Sequence, residues 1–213
     1  MSDDTTEPKG HRWFAAFYDL QMRATERALG PRRGRLLAGL HGDVLEIGAG
    51  TGSNFPHYPP EAHVVALEPD PFMAARARRK LAGAALTNIE IREAPAERLP
   101  FPDVSFDAVV STLVLCTVSD VPQSLAEIRR VLRPGGELRF FEHVRADGLL
   151  GRAQDLMQPV WGWCSAGCHA NRRTEAALRS AGFDVAPPER LKLAPWLPAI
   201  FGVARAPGAA AQP

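Results

Sequence analysis

Residues 44–54 read Val-Leu-Glu-Ile-Gly-Ala-Gly-Thr-Gly-Ser-Asn, an apolar strand carrying one acid that runs straight into Gly48, Gly50 and Gly52. Glycine has no β-carbon, so such a chain can turn sharply after its strand and let a ligand lie against bare backbone. The stretch predicts a cofactor loop at the carboxyl end of a buried strand. Its spacing is Gly-x-Gly-x-Gly, whereas the dinucleotide fingerprint would put its third glycine at position 53, where this chain has Ser53.

Outward from this loop, short apolar runs alternate with helical patterns, which is the signature of a parallel sheet covered on both faces. Strands are predicted at 43–48, 63–68, 88–92, 106–112, 137–143, 183–187 and 199–205. Between them, residues 71–82 form a helix with Pro71 in its first turn and Asp70 as its cap, and residues 121–132 form another after Asp120. Arg133-Pro134-Gly135-Gly136 then ends that helix. Residues 11–40 read as an amphipathic helical segment ahead of the first strand, and 149–181 as two helical pieces between the fifth and sixth. The expected organisation is one domain over 11–205, with a disordered 1–10 and a flexible tail at 206–213.

Composition narrows the partners. With 25 Lys plus Arg against 24 Asp plus Glu, the 213-residue chain has no global field to attract nucleic acid or an anionic membrane. Three cysteines, Cys116, Cys164 and Cys168, form no disulfide framework and suit a reducing cytoplasm. The polar first ten residues lack the core of a signal peptide, and no apolar run is long enough to span a bilayer. The expectation is a cytoplasmic protein acting on a small molecule, with its oligomeric state left open.

Glu68, at the end of the second strand, follows Gly48 by 20 residues. In a doubly wound sheet that distance brings a strand-end acid beside the glycine loop, where its carboxylate can accept bonds from both ribose hydroxyls. Glu68 therefore predicts a nucleoside without choosing its kind.

With Glu46 inside the strand, the 44–54 stretch resembles the first motif of class I methyltransferases that use S-adenosylmethionine. Glu93–Phe101 followed by Ser105–Val110 is similar to the segment of that family that forms the adenine pocket and enters the fourth strand, and Val131–Gly136 resembles its helix-to-strand turn. The resemblance covers roughly residues 40–145 in order. It implies a Rossmann-like, seven-stranded, mostly parallel sheet with an antiparallel last strand and helical caps. It also implies that S-adenosylmethionine lies against Glu46, Gly48, Ala49, Gly50, Gly52, Asn54, Glu68, Pro69, Ala96, Glu97, Thr112 and Leu113, with Tyr18 near its methionine portion. Pro95 stands where many relatives carry an acid, so adenine contact rests on the backbone near Ala96 and on Glu97.

Thr112–Val118, then Phe141-Glu142-His143-Val144, then Trp161 with Gly167-Cys168 and Arg172 or Arg173, resembles the methyltransferase-like thiol methyltransferases of animals. That resemblance implies S-methylation of small thiols. The animal members carry an apolar N-terminal anchor, and the polar start of this chain suggests a soluble relative. A thiolate is the nucleophile, and a free thiol pKa near 8.5 demands only mild assistance, so a strong dedicated base is not required. His143, at the carboxyl end of the fifth strand, is the candidate for that assistance; Asp19 and His169 are weaker ones. Cys116, His143, Trp161, Cys168 and His169 are the candidate substrate-side residues, with Met157 and Trp163 as further apolar lining.

Other readings stand beside this one. The core motifs are shared with C- and O-methyltransferases of quinone-like or secondary-metabolite substrates, and a donor-binding subunit without catalysis would carry the same loop. Cys164, Cys168 and His169 form a Cys-x3-Cys-His cluster, but a structural zinc site needs four ligands and no second Cys or His pair follows, so no metal is expected there.

Overall fold

The computed structural model describes residues 29–84, 86–165 and 167–208. Residues 29–37 are helical (α1), and β1 (Gly42–Ile47), β2 (Ala62–Leu67), α2 (Pro71–Ala84), β3 (Ile89–Arg92), β4 (Phe106–Thr112), α3 (Val121–Val131) and β5 (Leu132–His143) follow. Then come α4 (Gly148–Cys164), α5 (Thr174–Ser180), β6 (Asp184–Val185), β7 (Glu189–Ala194) and β8 (Leu197–Arg205). The strands form one sheet in the order β3-β2-β1-β4-β5-β8-β6, with β7 also paired to β8. The first five are parallel, and β8 runs antiparallel to β5.

Alternation along the strands builds a core on each face of the sheet. Leu45, Ile47, Val109, Leu138 and Phe140 join Leu125 and Ile128 of α3 and Leu178 of α5 in one cluster. Val44, Val64, Val110 and Phe141 join Leu36 and Leu37 of α1 and Ala77 of α2 in the other. The helix starts are capped as their sequence demands: Asp70 Oδ1 accepts from the amides of Phe72 and Met73 at 2.8 and 3.1 Å, and Asp120 Oδ1 accepts from Gln123 at 2.9 Å. Arg139, projecting from β5, donates to the carbonyls of Leu36 and Ala38 at 2.9 and 2.7 Å and so holds the end of α1.

The sheet has eight strands where seven were expected. The additional one is β7, whose Glu189, Arg190 and Lys192 mask a strand pattern in the sequence. It is held by antiparallel pairing to β8 and by ion pairs of Glu189 with Arg35 and of Arg190 with Glu175, both tertiary contacts. β5 begins at Leu132, five residues earlier than expected. The Arg133–Gly136 turn is absorbed by a register shift against β4 and by Gly135 at φ 77°.

Candidate active site

Strand order reverses between β1 and β4, and open α/β sheets receive ligands at such a point, outside the carboxyl ends of the strands. Four of the sequence-predicted groups lie at that end: the Gly48–Gly52 loop after β1, Glu68 after β2, Thr112-Leu113 closing β4 and His143 closing β5. Gly48, Gly50 and Gly52 all have left-handed backbone, at φ 58°, 58° and 77°. At Gly48 a β-carbon would also come within 2.5 Å of the Val114 side chain, so the glycine is required for both conformation and space.

Glu68 ties the loop to the second strand. Its Oε2 accepts from the Gly50 amide at 2.7 Å and its Oε1 from the Asp70 amide at 2.9 Å. A carboxylate offers about four lone-pair sites, so each oxygen keeps capacity for a ribose hydroxyl. Burial nevertheless pushes its pKa upward, against those two amide bonds. Pro69 beside it is exposed.

Glu46 and Asn54 form a buried polar network under the loop. Asn54 Nδ2 donates to Glu46 Oε1 at 2.8 Å and to Thr112 Oγ1 at 3.0 Å, while its Oδ1 accepts from Arg33 at 2.7 Å. The Tyr58 hydroxyl donates to Glu46 Oε2 at 3.0 Å. Burial raises the Glu46 pKa to about 7, the hydrogen bonds and Arg33 opposing it only in part. The network stitches β1, β4 and α1 together beneath the cleft.

Leu113 occupies the left-handed region at φ 60°, an unusual conformation for a branched residue. Its amide still donates to Phe141 across the sheet at 2.7 Å, and the chain then bends over the end of β4. Glu142 imposes that bend. Fully buried, its Oε1 accepts from Ser111 Oγ, Val114 N and Leu115 N at 2.7, 3.0 and 3.1 Å, and its Oε2 accepts from Cys116 N at 3.2 Å. Sequence reading assigned Glu142 no role, because a lone acid in an apolar strand carries no local sign of four donors arriving from another strand's end.

Cys116 so placed meets two distant residues. Its Sγ is 3.6 Å from Cys168 Sγ and 3.7 Å from His143 Nδ1, and Cys168 Sγ is 3.5 Å from that nitrogen. Both cysteines are buried and His143 is half-buried. The hydrogen bond between the sulfurs, with burial, pushes Cys116 upward; the same bond lowers Cys168, helped by His143 and opposed by its own burial.

The 167–173 loop is clamped to the end of β4. Arg172 donates to the carbonyls of Leu115 and Val118 at 2.5 and 2.7 Å, and the His169 amide donates to the Cys116 carbonyl at 2.6 Å. Gln158 of α4 donates to the Cys168 carbonyl at 2.9 Å. Of the two arginines that the sequence left open, Arg172 makes this clamp and Arg173 precedes α5.

Other expected residues lie elsewhere. The His169 ring is exposed, with Nδ1 2.8 Å from the Gly167 carbonyl oxygen and 3.4 Å from the Arg172 guanidinium, and its amide holds the Cys116 carbonyl. Cys164 is exposed and does not join Cys168 and His169. Glu97 Oε1 accepts from the Ser119 amide and hydroxyl, both at 2.7 Å, which fixes the strand-to-helix segment beside buried Ala96. Trp161 packs edge-on against Trp196, with its buried Nε1 lacking a hydrogen-bond partner. Met157 and Trp163 are 55% and 87% exposed on α4. Tyr18 and Asp19 lie outside the described residues.

Residues 45–140 match the family model described as a methyltransferase domain. In fold, the chain is similar to a SAM-dependent methyltransferase from Aquifex aeolicus, with a TM-score of 0.65 over 93% of this chain and 100% of that one at 18% identity. A glycine loop at the switch point, an acid on the next strand and a mostly parallel sheet with an antiparallel β8 define, with these matches, a class I methyltransferase using S-adenosylmethionine. The human thiol S-methyltransferase TMT1B is 40% identical over 179 residues, which span 79% of this chain and 73% of that protein. The demethylmenaquinone methyltransferase of Deinococcus radiodurans is 40% identical over 112 residues, spanning 51% and 46%. The chain belongs to the methyltransferase family that includes TMT1B. Among the described residues, no helix is long and apolar enough to cross a membrane.

Proposed function

We propose that this protein methylates the sulfur of small thiols. The observation that carries the reading is the cluster of Cys116, Cys168 and His143 at the strand ends beside the donor loop, joined to that loop by Val114 against Gly48. Its polarizable sulfurs and one imidazole suit a neutral, soft acceptor better than an amine or a carboxylate. The likeness to human TMT1B supports the same acceptor class.

S-adenosylmethionine supplies a methyl group on an electron-poor sulfonium sulfur. The Gly48–Gly52 backbone holds its amino acid end, Glu68 accepts from the ribose hydroxyls, and Ala96 and Glu97 border the adenine. Thr112 and Leu113 fix the methionine portion at the bend over β4. Positioning carries much of the rate in such a displacement, which explains the rigidity given to this bend by Glu142 and Arg172. In a metal-free site, His143 is the group that would accept the proton the acceptor thiol must lose.

A quinone-like acceptor is the second reading, favoured by the likeness to the demethylmenaquinone methyltransferase. Incubation with separate panels of small thiols, phenols, quinols and amines, scored by release of S-adenosylhomocysteine, separates the two. Turnover of thiols is the expected result; turnover confined to quinols would replace the thiol reading with the second one.

A further inference from the structure

We propose that Cys116, His143 and Cys168 are the ligands of a catalytic zinc ion whose fourth position receives the acceptor thiol. The proposal deepens the thiol reading and rests on it for the acceptor, whereas the metal site itself rests on geometry.

The three donor atoms form a nearly equilateral triangle of 3.6, 3.7 and 3.5 Å. A tetrahedral zinc with Zn–S about 2.3 Å and Zn–N about 2.0–2.1 Å holds two sulfurs about 3.8 Å apart and a sulfur and nitrogen about 3.6 Å apart. The triangle therefore matches one face of such a tetrahedron. A Cys116–Cys168 disulfide would need the sulfurs at about 2.05 Å and would leave the equidistant imidazole unexplained. Two thiolates and an imidazole form a borderline-soft set that suits zinc, and three protein ligands leave the open position that distinguishes catalytic from structural sites.

Each ligand is anchored from a different element. Glu142 holds the Cys116 amide, the pairing of His143 with Ala199 fixes the end of β5, and Gln158 holds the Cys168 carbonyl. The Trp161 Nε1 is buried without a hydrogen-bond partner among the described residues, a donor of the kind that steadies a metal-bound sulfur from outside the ligand set. The local Cys164, Cys168 and His169 cluster is not this site: only Cys168 belongs to it.

Cys116 and Cys168 release their protons when the ion binds. The acceptor thiol binds at the fourth position as its thiolate and gives its proton to water. A lone pair on that sulfur forms the new carbon–sulfur bond to the methyl carbon as the methyl–sulfonium bond breaks, and the pair from the broken bond stays on the donor sulfur. The neutral thioether product is a weaker ligand than a thiolate and leaves. In this arrangement His143 holds the metal and does not accept the proton.

The test is the metal content of the full chain, purified untagged and without chelator, together with re-metallation of chelator-treated, reduced protein by Zn2+ alone and Co2+ alone. About one zinc per chain is expected, and the cobalt form should show a thiolate-to-metal charge-transfer band that shifts when a small thiol is added without donor. Cys116→Ser, Cys168→Ser and His143→Gln should each abolish the band, Trp161→Phe should weaken metal affinity about tenfold, and Cys164→Ser should leave it unchanged. Circular dichroism and calorimetric binding of S-adenosylmethionine identify any variant that has lost its fold. Folded protein that takes up neither metal yet turns over thiols overturns the zinc site and leaves the thiol reading intact. Uptake lost in the three ligand variants supports the site, even where quinols prove to be the acceptors.

Discussion

The buried carboxylate of Glu142 holds the backbone amide of Cys116 at 3.2 Å, the last of four donors it collects from the end of β4. One side chain on β5 thus shapes the segment that carries both the strained Leu113 and the site cysteine. In Glu142→Gln, the amide NH2 would face a donor in place of an acceptor. We expect a loss of about 2–4 kcal/mol in urea unfolding and a fall in kcat larger than any change in donor affinity. A variant as stable and active as the parent would show that the bend holds itself.

Glu46 predicts a pH dependence of stability. Its ordinary pKa of 4.5 is raised to about 7 by burial, so between those values the folded chain keeps a proton that the unfolded chain has released. The folded state then binds more protons, and stability falls as pH rises from about 4.5 to about 7, by at most about 3 kcal/mol from this group. Glu46→Gln removes the titration. Unfolding free energies of the two proteins at pH 5 and pH 8 should therefore show a shallower decline in the variant, and parallel declines would refute the assignment.

Glu68→Ala removes the ribose acceptor and also orphans the amides of Gly50 and Asp70. Charge-assisted bonds of this kind contribute about 1.5–3 kcal/mol, so S-adenosylmethionine should bind about 10- to 100-fold more weakly by calorimetry. Undiminished binding would contradict the placement of the ribose at Glu68.

Gly48→Ala introduces two separable faults, a left-handed alanine and a methyl 2.5 Å from Val114. We expect destabilisation of about 1–3 kcal/mol. Adding Val114→Ala should restore the steric part and leave the conformational part, and thermal unfolding of all four proteins of the cycle measures the division. Additive losses would mean that the steric fault is absent.

Arg172→Lys tests the clamp across the site. A lysine cannot bridge the Leu115 and Val118 carbonyls as a guanidinium does, so the substitution is not conservative here. Lower kcat with unchanged donor affinity is expected in steady-state and calorimetric measurements. An unchanged kcat would show that the 167–173 loop holds Cys168 without the clamp.

Sequence alone determined the main strands and the glycine loop with its partner acid, while the class of cofactor came from the family that these stretches resemble. Those features are local: a strand period, a glycine needed where φ is positive, and an acid at a fixed distance along the chain are all visible in one dimension. It missed β7, whose charged residues are held by partners on α1 and α5. It named Cys116, His143 and Cys168 as separate candidates and set aside a cluster of Cys168 with Cys164 and His169, but it could not show that the fold brings Cys168 against Cys116 and His143, 52 and 25 residues away. Only the tertiary structure decided that trio and the role of Glu142, because a buried carboxylate recruits whichever donors the sheet brings to it, and sheet order is a property of the whole chain.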